Sequence, residues 1–248
     1  VLLGDSIVYG VRLPPEQTLA PLLQGMLSTA LERPACVVNL AEPGFAFMNE
    51  KAALEEAMLK HTPKVVVLQM WFNSVNRFVL VGENAYNFGT IETDSLGLPN
   101  LGLPVDLNRL LFQHSAAWRG LSVGFSRTRE GRAHKAEAQW ETFTREEFEP
   151  FRKALEEQGI ALMIVYATSL KKPFSEGRQT ENKVYAAPRD WADKHGLMQV
   201  HFSEVLGNED LEKVGLDSCC HLNAYGTQLV ADAMAPKLVQ LLQSGAPL

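Results

Sequence analysis

The sequence predicts an α/β protein, a three-layer α/β/α sandwich around a mostly parallel sheet of five strands. Short runs rich in valine, isoleucine and leucine lack polar alternation, which is typical of strands buried on both faces. Stretches with helical spacing separate these runs, in the order βαβαβ and then again after a long interruption. A chain of 248 residues that is 46% hydrophobic and 21% charged has the composition of a globular protein with one core.

Each element has its own local signal. The predicted strands are 1–3, 35–40, 64–70, 160–166 and 197–202, and the predicted helices are 14–31, 49–59, 142–158, 180–195 and 223–242. The segment 64–70, with three consecutive valines, is the clearest strand. Gly4 closes the first strand and Gly159 ends the helix before the fourth. Pro150 is expected to kink its helix, and Asn223 is suited to cap the last one.

The segment 78–138 interrupts this order. It contains Gly97, Pro99, Gly102 and Pro104 and few long periodic runs. A connection of about 60 residues far exceeds the usual length of about two to six, and such excursions are commonly lids or binding loops. We therefore predict one domain over 1–248, with 78–138 as an insertion after the third strand that forms a lid or substrate-binding subregion.

Charge and hydropathy exclude two classes of partner. Lysine and arginine number 23 against 29 acidic residues, a net charge of −6, so the chain lacks the positive surface of a nucleic-acid binder. No apolar run approaches the roughly 18 residues of a membrane span. The sequence does not indicate the oligomeric state.

Three cysteines are too few for a disulfide scaffold. Cys219 and Cys220 are adjacent and could pair only with strained geometry, so we interpret them as packed thiols. Cys36 lies in an apolar run and is expected in the core. No Cys-x-x-Cys or clustered His and Cys spacing predicts a metal site.

Reactive residues follow several strands of the predicted sheet. Ser6 follows the first strand, Gly44 the second and Asn73 the third, while Asp217 and His221 lie in the last loop. Ligands of an open parallel sheet bind beyond the carboxyl ends of its strands, so these residues are expected to converge. A serine nucleophile needs an imidazole and works best when a carboxylate orients that imidazole, and the oxyanion needs N–H donors. The set predicts an acyl-transfer site.

Four blocks carry a family resemblance: Val-Leu-Leu-Gly-Asp-Ser-Ile-Val-Tyr-Gly at 1–10, Asn-Leu-Ala-Glu-Pro-Gly-Phe at 39–45, Asn73 after a valine-rich strand, and His-Leu-Asn-Ala-Tyr-Gly at 221–226. In these blocks the sequence resembles the SGNH (GDSL) hydrolase family of serine esterases and lipases, whose flavodoxin-like fold the resemblance implies here. It covers the core but not the insertion. It implies Ser6 as nucleophile, His221 as base, and the Ser6 amide, Gly44 and Asn73 as the oxyanion hole. It implies no cofactor and no metal.

Two blocks depart from the family pattern. The third block usually reads Gly-x-Asn-Asp. Here Trp71 replaces the glycine and Ser74 replaces the aspartate. We assign Trp71 to the substrate-binding surface together with Phe72 and Asp5, although Asp5 is expected chiefly to hold its loop.

The second departure concerns the acid. The family usually places it three residues before the histidine, where this chain has Ser218, and Asp217 lies four before. Either the loop is one residue longer and Asp217 orients His221, which we favour, or the enzyme works as a Ser-His dyad.

The resemblance predicts a serine esterase. The bulk of Trp71 favours an ester with a short acyl group, and the substrate that we predict is an acetyl ester of a carbohydrate. The alternatives are a catalytically silent module that binds a glycan or a partner protein, and an O-acyltransferase that uses the same site. Relatives with a similar Pro-Gly-aromatic second block are often exported or membrane-tethered, so the resemblance implies an extracytoplasmic location. Residues 5–10 are neither glycine-rich nor basic, which argues against a nucleotide-binding flavodoxin-like protein.

Overall fold

The protein folds around a parallel sheet of four strands flanked by helices. A computed structural model describes residues 1–71, 74, 78–81, 84–87, 98, 102–130, 143–170, 185–207, 209–217 and 219–244. The strands are β1 (Leu2–Leu3), β2 (Val65–Met70), β3 (Phe78–Val81), β4 (Asn84–Asn87), β5 (Ala161–Tyr166) and β6 (Met198–His201). The helices are α1 (Ser6–Tyr9), α2 (Leu19–Ala30), α3 (Phe47–Met58), α4 (Val105–His114), α5 (Ala116–Glu130), α6 (Glu149–Glu157), α7 (Ala186–Lys194), α8 (Phe202–Val205), α9 (Leu211–Val214) and α10 (Ala224–Ser244).

The main sheet has the strand order β1-β2-β5-β6, and its strands pair in parallel. One row of paired residues crosses it from Leu3 through Leu68 and Ile164 to Gln199. All four carboxyl ends therefore meet at one edge, where the loops that follow β1 and β2 begin side by side. β3 and β4 form a separate antiparallel hairpin.

The strand predicted over 35–40, the second in chain order, is not a regular strand. Residues 38–42 run beside β1 with hydrogen bonds from Leu2 N to Val38 O and from Leu40 N to Leu2 O, but they form a single bridge, between Leu2 and Asn39. The prediction of five strands is therefore wrong, because the sheet has four strands in the part of the chain that the structure describes. β1 is only two residues long, so it is too short a partner for a regular ladder, although Glu42 N also donates to Gly4 O at 3.3 Å.

Helices cover both faces of the sheet, as the three-layer prediction requires. Val65 and Val67 point into one apolar cluster with α1, α2 and α10. Val66 and Leu68 point into the other, with α3, α6 and α7. Because successive side chains of a strand alternate in direction, an all-apolar strand supplies both clusters.

Three helical regions differ in detail from the prediction. A π-helical turn at Thr144–Phe148 precedes α6, and Pro150 lies in the first turn of α6, where its missing N–H is tolerated. The helix predicted over 180–195 is described from Ala186, and 180–184 lie outside the described residues. The described part of 78–138 holds the hairpin and the helices α4 and α5, more regular structure than predicted. Its role as a lid stays a prediction, as does the single-domain boundary.

Cys36 is exposed, contrary to the expectation that it lies in the core, because the segment around it is irregular and only partly covered. No helix within the described ranges has the length and apolar character needed to cross a membrane.

Candidate active site

Ser6 is the first residue of α1, directly beyond the carboxyl end of β1. The Asp5 side chain caps this helix by accepting a hydrogen bond of 2.9 Å from Ile7 N. Gly10 ends the helix after one turn, with a left-handed φ of 82° that glycine adopts without strain. The strand, the cap and the short helix together present the Ser6 hydroxyl at the sheet edge.

A buried glutamine supports this loop from the neighbouring strand. Gln69 Oε1, in β2, accepts a hydrogen bond of 3.0 Å from Asp5 N. Gly4 passes so close that a Cβ there would lie 2.7 Å from the same oxygen. Sequence reasoning did not single out Gln69. It is the one polar residue in the apolar run 65–70, and this isolated polar side chain was the feature that could have identified it.

His221 lies in a loop that is closed by backbone hydrogen bonds. Leu216 N donates to His221 O and Asn223 N donates to Val214 O, each at 2.8 Å. The Asn223 side chain caps α10 by accepting from Gly226 N at 3.0 Å, as the sequence predicted. Gly226 packs so tightly against this loop that a Cβ there would collide with the Val214 carbonyl oxygen.

The structure brings Ser6, His221 and Asp217 together. The Ser6 Oγ to His221 Nε2 distance is 2.9 Å, and the His221 Nδ1 to Asp217 Oδ2 distance is 2.5 Å. The hydroxyl and the imidazole are 215 positions apart in sequence and meet only because the last loop reaches the carboxyl edge. The side chains of His221 and Asp217 are 22% and 27% exposed, so the pair is shielded but open to a ligand.

Asp217 is held in its charged form by its surroundings. Its Oδ1 accepts backbone N–H groups from Cys219, Cys220 and His221 at 2.9, 3.1 and 3.4 Å. Partial burial acts to raise the pKa of Asp217, but the hydrogen bond to His221 and these three amides outweigh it and hold the pKa well below its usual range. The carboxylate can therefore orient the imidazole and stabilise its cationic form.

The predicted oxyanion donors are described only in part. Gly44 is exposed in the turn after Pro43, with a φ of 84°, and Glu42 N donates to Gly4 O at 3.3 Å, so this turn lies beside the nucleophile loop. Asn73 and Phe72 lie outside the described residues. The roles of Gly44, Asn73 and the Ser6 amide stay predictions.

Trp71 follows β2 as Ser6 follows β1, each three residues beyond the paired Leu68 and Leu3. It is partly buried against the apolar cluster of α2 and α10. Ser74, which stands where the family has aspartate, is buried and accepts a hydrogen bond from Trp71 N through Oγ at 2.9 Å. Ser74 thus fixes the turn that positions Trp71.

Two further polar residues bear on the site, Asn39 through a hydrogen bond and Glu50 through its charge, and sequence reasoning did not single them out. Asn39 Nδ2 donates to Val8 O at 3.1 Å and ties the second block to α1. Glu50, in α3, is only 1% exposed. Burial, and then the carboxylate of Asp5, raise the pKa of Glu50 well above its usual range. Asp5 is itself buried, in keeping with a loop-holding role, and its contribution to substrate binding stays a prediction.

Within the described part of the chain, no group of three or more His, Cys, Asp or Glu side chains could hold a metal ion. The described residues bring a hydroxyl, an imidazole and a carboxylate together in one hydrogen-bonded series. Such a series suits proton transfer from a nucleophilic serine.

No family model matches the sequence, and no curated protein matches it. Solved structures do match. A member of the lipolytic protein G-D-S-L family from Veillonella parvula DSM 2008 is 14% identical, with a TM-score of 0.54 over 93% of this chain and 92% of that one. A mutant of Axe2, an acetyl-xylooligosaccharide esterase from Geobacillus Stearmophilus, is 15% identical, with a TM-score of 0.56 over 96% and 92%. A carbohydrate acetylesterase family member from Sinorhizobium meliloti is 16% identical, with a TM-score of 0.50 over 98% and 97%.

At these identities the likeness is one of fold. It confirms the fold that the sequence resemblance implied. Over nearly its full length, the chain has the fold of the SGNH (GDSL) lipolytic and esterase structures.

Proposed function

We propose that this chain is a serine esterase that hydrolyses an ester with a short acyl group through an acyl-enzyme on Ser6. The observation that carries the proposal is the hydrogen-bonded series from Ser6 Oγ through His221 to Asp217. The distance of 2.9 Å between Ser6 Oγ and His221 Nε2 lies within the reach that proton transfer requires. The fold shared with esterases, acetyl esterases among them, supports the same reaction class.

In the first half of the reaction, Ser6 Oγ attacks the ester carbonyl carbon while its proton passes to His221 Nε2. The tetrahedral intermediate collapses when His221 returns that proton to the leaving alcohol, and the acyl group remains on Ser6. In the second half, water attacks the acyl carbon and gives a proton to His221, which passes it to Ser6 Oγ as the bond between Ser6 and the acyl group breaks and the acid is released.

Asp217 acts through His221 in this scheme. Its bond to Nδ1 keeps the proton on that nitrogen, so Nε2 faces Ser6 as an acceptor, and its charge stabilises the imidazolium that forms. The oxyanion is assigned to the amides of Ser6 and Gly44 and the side chain of Asn73, where each donor is worth about 3 to 4 kcal/mol of transition-state stabilisation.

Intact-mass labelling with a fluorophosphonate probe tests the proposal. We expect wild type to take up one probe, and Ser6→Ala and His221→Ala to take up none at matched times. Ser244→Ala and His114→Ala are the controls, because each removes the same functional group elsewhere, and both should label as wild type does. A folded wild type that takes up no probe would contradict the esterase proposal and favour a silent binding module.

The short acyl preference rests on the bulk of Trp71, a residue that directly follows β2 at the edge where β1 also ends. We expect the kcat/KM for p-nitrophenyl esters to be highest for acetyl and to fall as the acyl chain lengthens. Trp71→Ala should flatten this dependence, because one methylene in an apolar pocket is worth about 1 to 3 kcal/mol. Trp118→Phe, in α5, is the control. A chain-length profile unchanged in Trp71→Ala would remove Trp71 from the acyl pocket.

A further inference from the structure

The adjacent residues Cys219 and Cys220 lie inside the loop that holds the acid and the base. Their sulfur atoms are 2.8 Å apart. Cys219 is exposed and Cys220 is buried. The mechanism above uses neither thiol, yet each residue donates its backbone N–H to Asp217 Oδ1.

We propose that Cys219 and Cys220 are a redox-active pair, and that their oxidation to a disulfide inhibits the enzyme by displacing the amides that hold Asp217. The inhibition half of this proposal rests on the proposed esterase function. Formation of the disulfide does not.

The starting geometry favours bond formation. A disulfide bond is about 2.05 Å long, so the two sulfurs need to approach by only about 0.8 Å. The exposed Cys219 is the thiol that an oxidant reaches first. Burial, followed by the contact with Cys219, raises the pKa of the Cys220 thiol, so Cys220 is the less reactive of the two towards an external oxidant.

The reaction with a small disulfide such as oxidised glutathione balances without another reactant. The Cys219 thiolate attacks one sulfur of the small disulfide and releases one small thiol, which leaves a mixed disulfide on Cys219. Cys220 then attacks Cys219 Sγ, loses its proton and releases the second small thiol. The protein pair is oxidised by two electrons and the small disulfide is reduced by two.

The closed bond must disturb the loop. Consecutive Cα atoms are about 3.8 Å apart, below the roughly 4.4 to 6.8 Å usual for disulfides, so the ring strains the peptide between the two residues. Both polar groups of that peptide already form hydrogen bonds. Its N–H, on Cys220, donates to Asp217, and its C=O, on Cys219, accepts a hydrogen bond of 2.7 Å from Leu170 N.

Movement of this peptide displaces Asp217 directly, because Cys220 N is one of the donors to its carboxylate. Asp217 loses a donor and shifts relative to His221, which is the next residue in the chain after Cys220. A misplacement of about 1 Å at a catalytic group can cost on the order of 100-fold in rate. Because strained disulfides are easily reduced, the inhibition should be reversible.

The experiment uses Cys36→Ser protein, so that only the pair can react. The reduced protein is treated with oxidised glutathione, quenched by alkylation and weighed intact. We expect the loss of two hydrogen atoms, no retained glutathione, and a fall in kcat of about tenfold or more that dithiothreitol reverses. In Cys36→Ser/Cys219→Ser protein, the same treatment should leave kcat at its own starting value.

A second readout does not depend on turnover. The His221 Nδ1 proton, shared with Asp217, should give a downfield NMR signal that shifts or disappears on oxidation and returns on reduction. A stable glutathione adduct on Cys219 without an internal bond would overturn the proposal. So would an internal disulfide that leaves both kcat and the Nδ1 signal unchanged. A reduced protein without esterase activity would overturn the proposed function instead, and mass and NMR would still decide the redox pair.

Discussion

The backbone N–H of Asp5 donates a hydrogen bond of 3.0 Å to Gln69 Oε1, which joins the nucleophile loop to the centre of the sheet. Asp5 in turn caps the helix that begins with Ser6. The position of the nucleophile thus depends on a buried amide in the adjacent strand, and Gly4 leaves the space that this contact needs.

Replacing Gln69 with Leu should therefore lower kcat. The substitution keeps the side-chain volume but leaves Asp5 N without its acceptor, and we expect a loss of about tenfold in kcat with the fold retained. Gln199→Leu, in β6, is the control and should leave kcat close to wild type. Steady-state kinetics with an acetyl ester make the comparison, and an unchanged kcat in Gln69→Leu would show that the loop holds its position without this contact.

Gly4→Ala should act through the same contact. The added methyl group would lie 2.7 Å from Gln69 Oε1 and 3.0 Å from Val8 Cβ, so it must push the amide away from Asp5 N. In a double-mutant cycle with Gln69→Leu, the two losses in kcat/KM should not add, because both remove one hydrogen bond. Additive losses would separate the role of Gly4 from that of Gln69.

Asp217→Asn should separate a triad from a dyad. The amide cannot stabilise the imidazolium and can reverse the polarity of the hydrogen bond, so we expect kcat to fall by about 10²- to 10⁴-fold with KM little changed. Asp232→Asn, an exposed residue of α10, removes the same charge and is the control. A loss in kcat of less than about tenfold would favour the Ser-His dyad.

Gly226→Ala should destabilise the loop that carries His221. A Cβ at this position meets the Val214 carbonyl oxygen, which is backbone and cannot turn away, so we expect a loss of about 1 to 3 kcal/mol in the free energy of unfolding, with lower kcat. Gly25→Ala is the matched control, because nothing lies within 4 Å of its added Cβ in the exposed middle of α2. That variant should gain about 0.5 to 1 kcal/mol. Urea unfolding measures both, and equal effects would contradict the packing argument.

Glu50→Gln should change how stability depends on pH. Below the ordinary glutamate pKa of 4.5, the carboxyl is protonated in both the folded and unfolded states. As pH rises, the unfolded state ionises while burial keeps the folded state protonated, so stability falls until the pH reaches the raised folded-state pKa. Glutamine removes this loss, which is at most about 1.4 kcal/mol per pH unit.

Urea unfolding of wild type and Glu50→Gln between pH 4 and 8 measures the effect. The two curves should meet at low pH and separate as pH rises, with the variant more stable. Glu55→Gln, an exposed residue of the same helix, should follow wild type. Curves that stay parallel would show that Glu50 is not held neutral in the folded protein.

The three layers and four strands of the main sheet could be predicted from the sequence alone. Apolar runs such as 65–70 report burial on both faces directly, because a strand alternates its side chains between two clusters. Ser6, His221 and Asp217 could also be predicted as site residues from the sequence. Ser6 follows the first apolar run, and Asp217 and His221 lie in the loop before the last helix. The strand predicted over 35–40 does not form, because its pairing depends on a partner strand that is only two residues long, which no local pattern reports.

The contacts between distant segments could not be predicted from the sequence, because they form only when the chain packs. Ser6 and His221 are far apart in sequence, and their contact depends on the last loop reaching the edge where β1 ends. The choice of Asp217, one position from the family's usual acid, depends on how the loop winds three amides around its carboxylate. Local propensity is set by neighbours in the chain, whereas these contacts are set by the packing of segments that the chain brings together only when it folds.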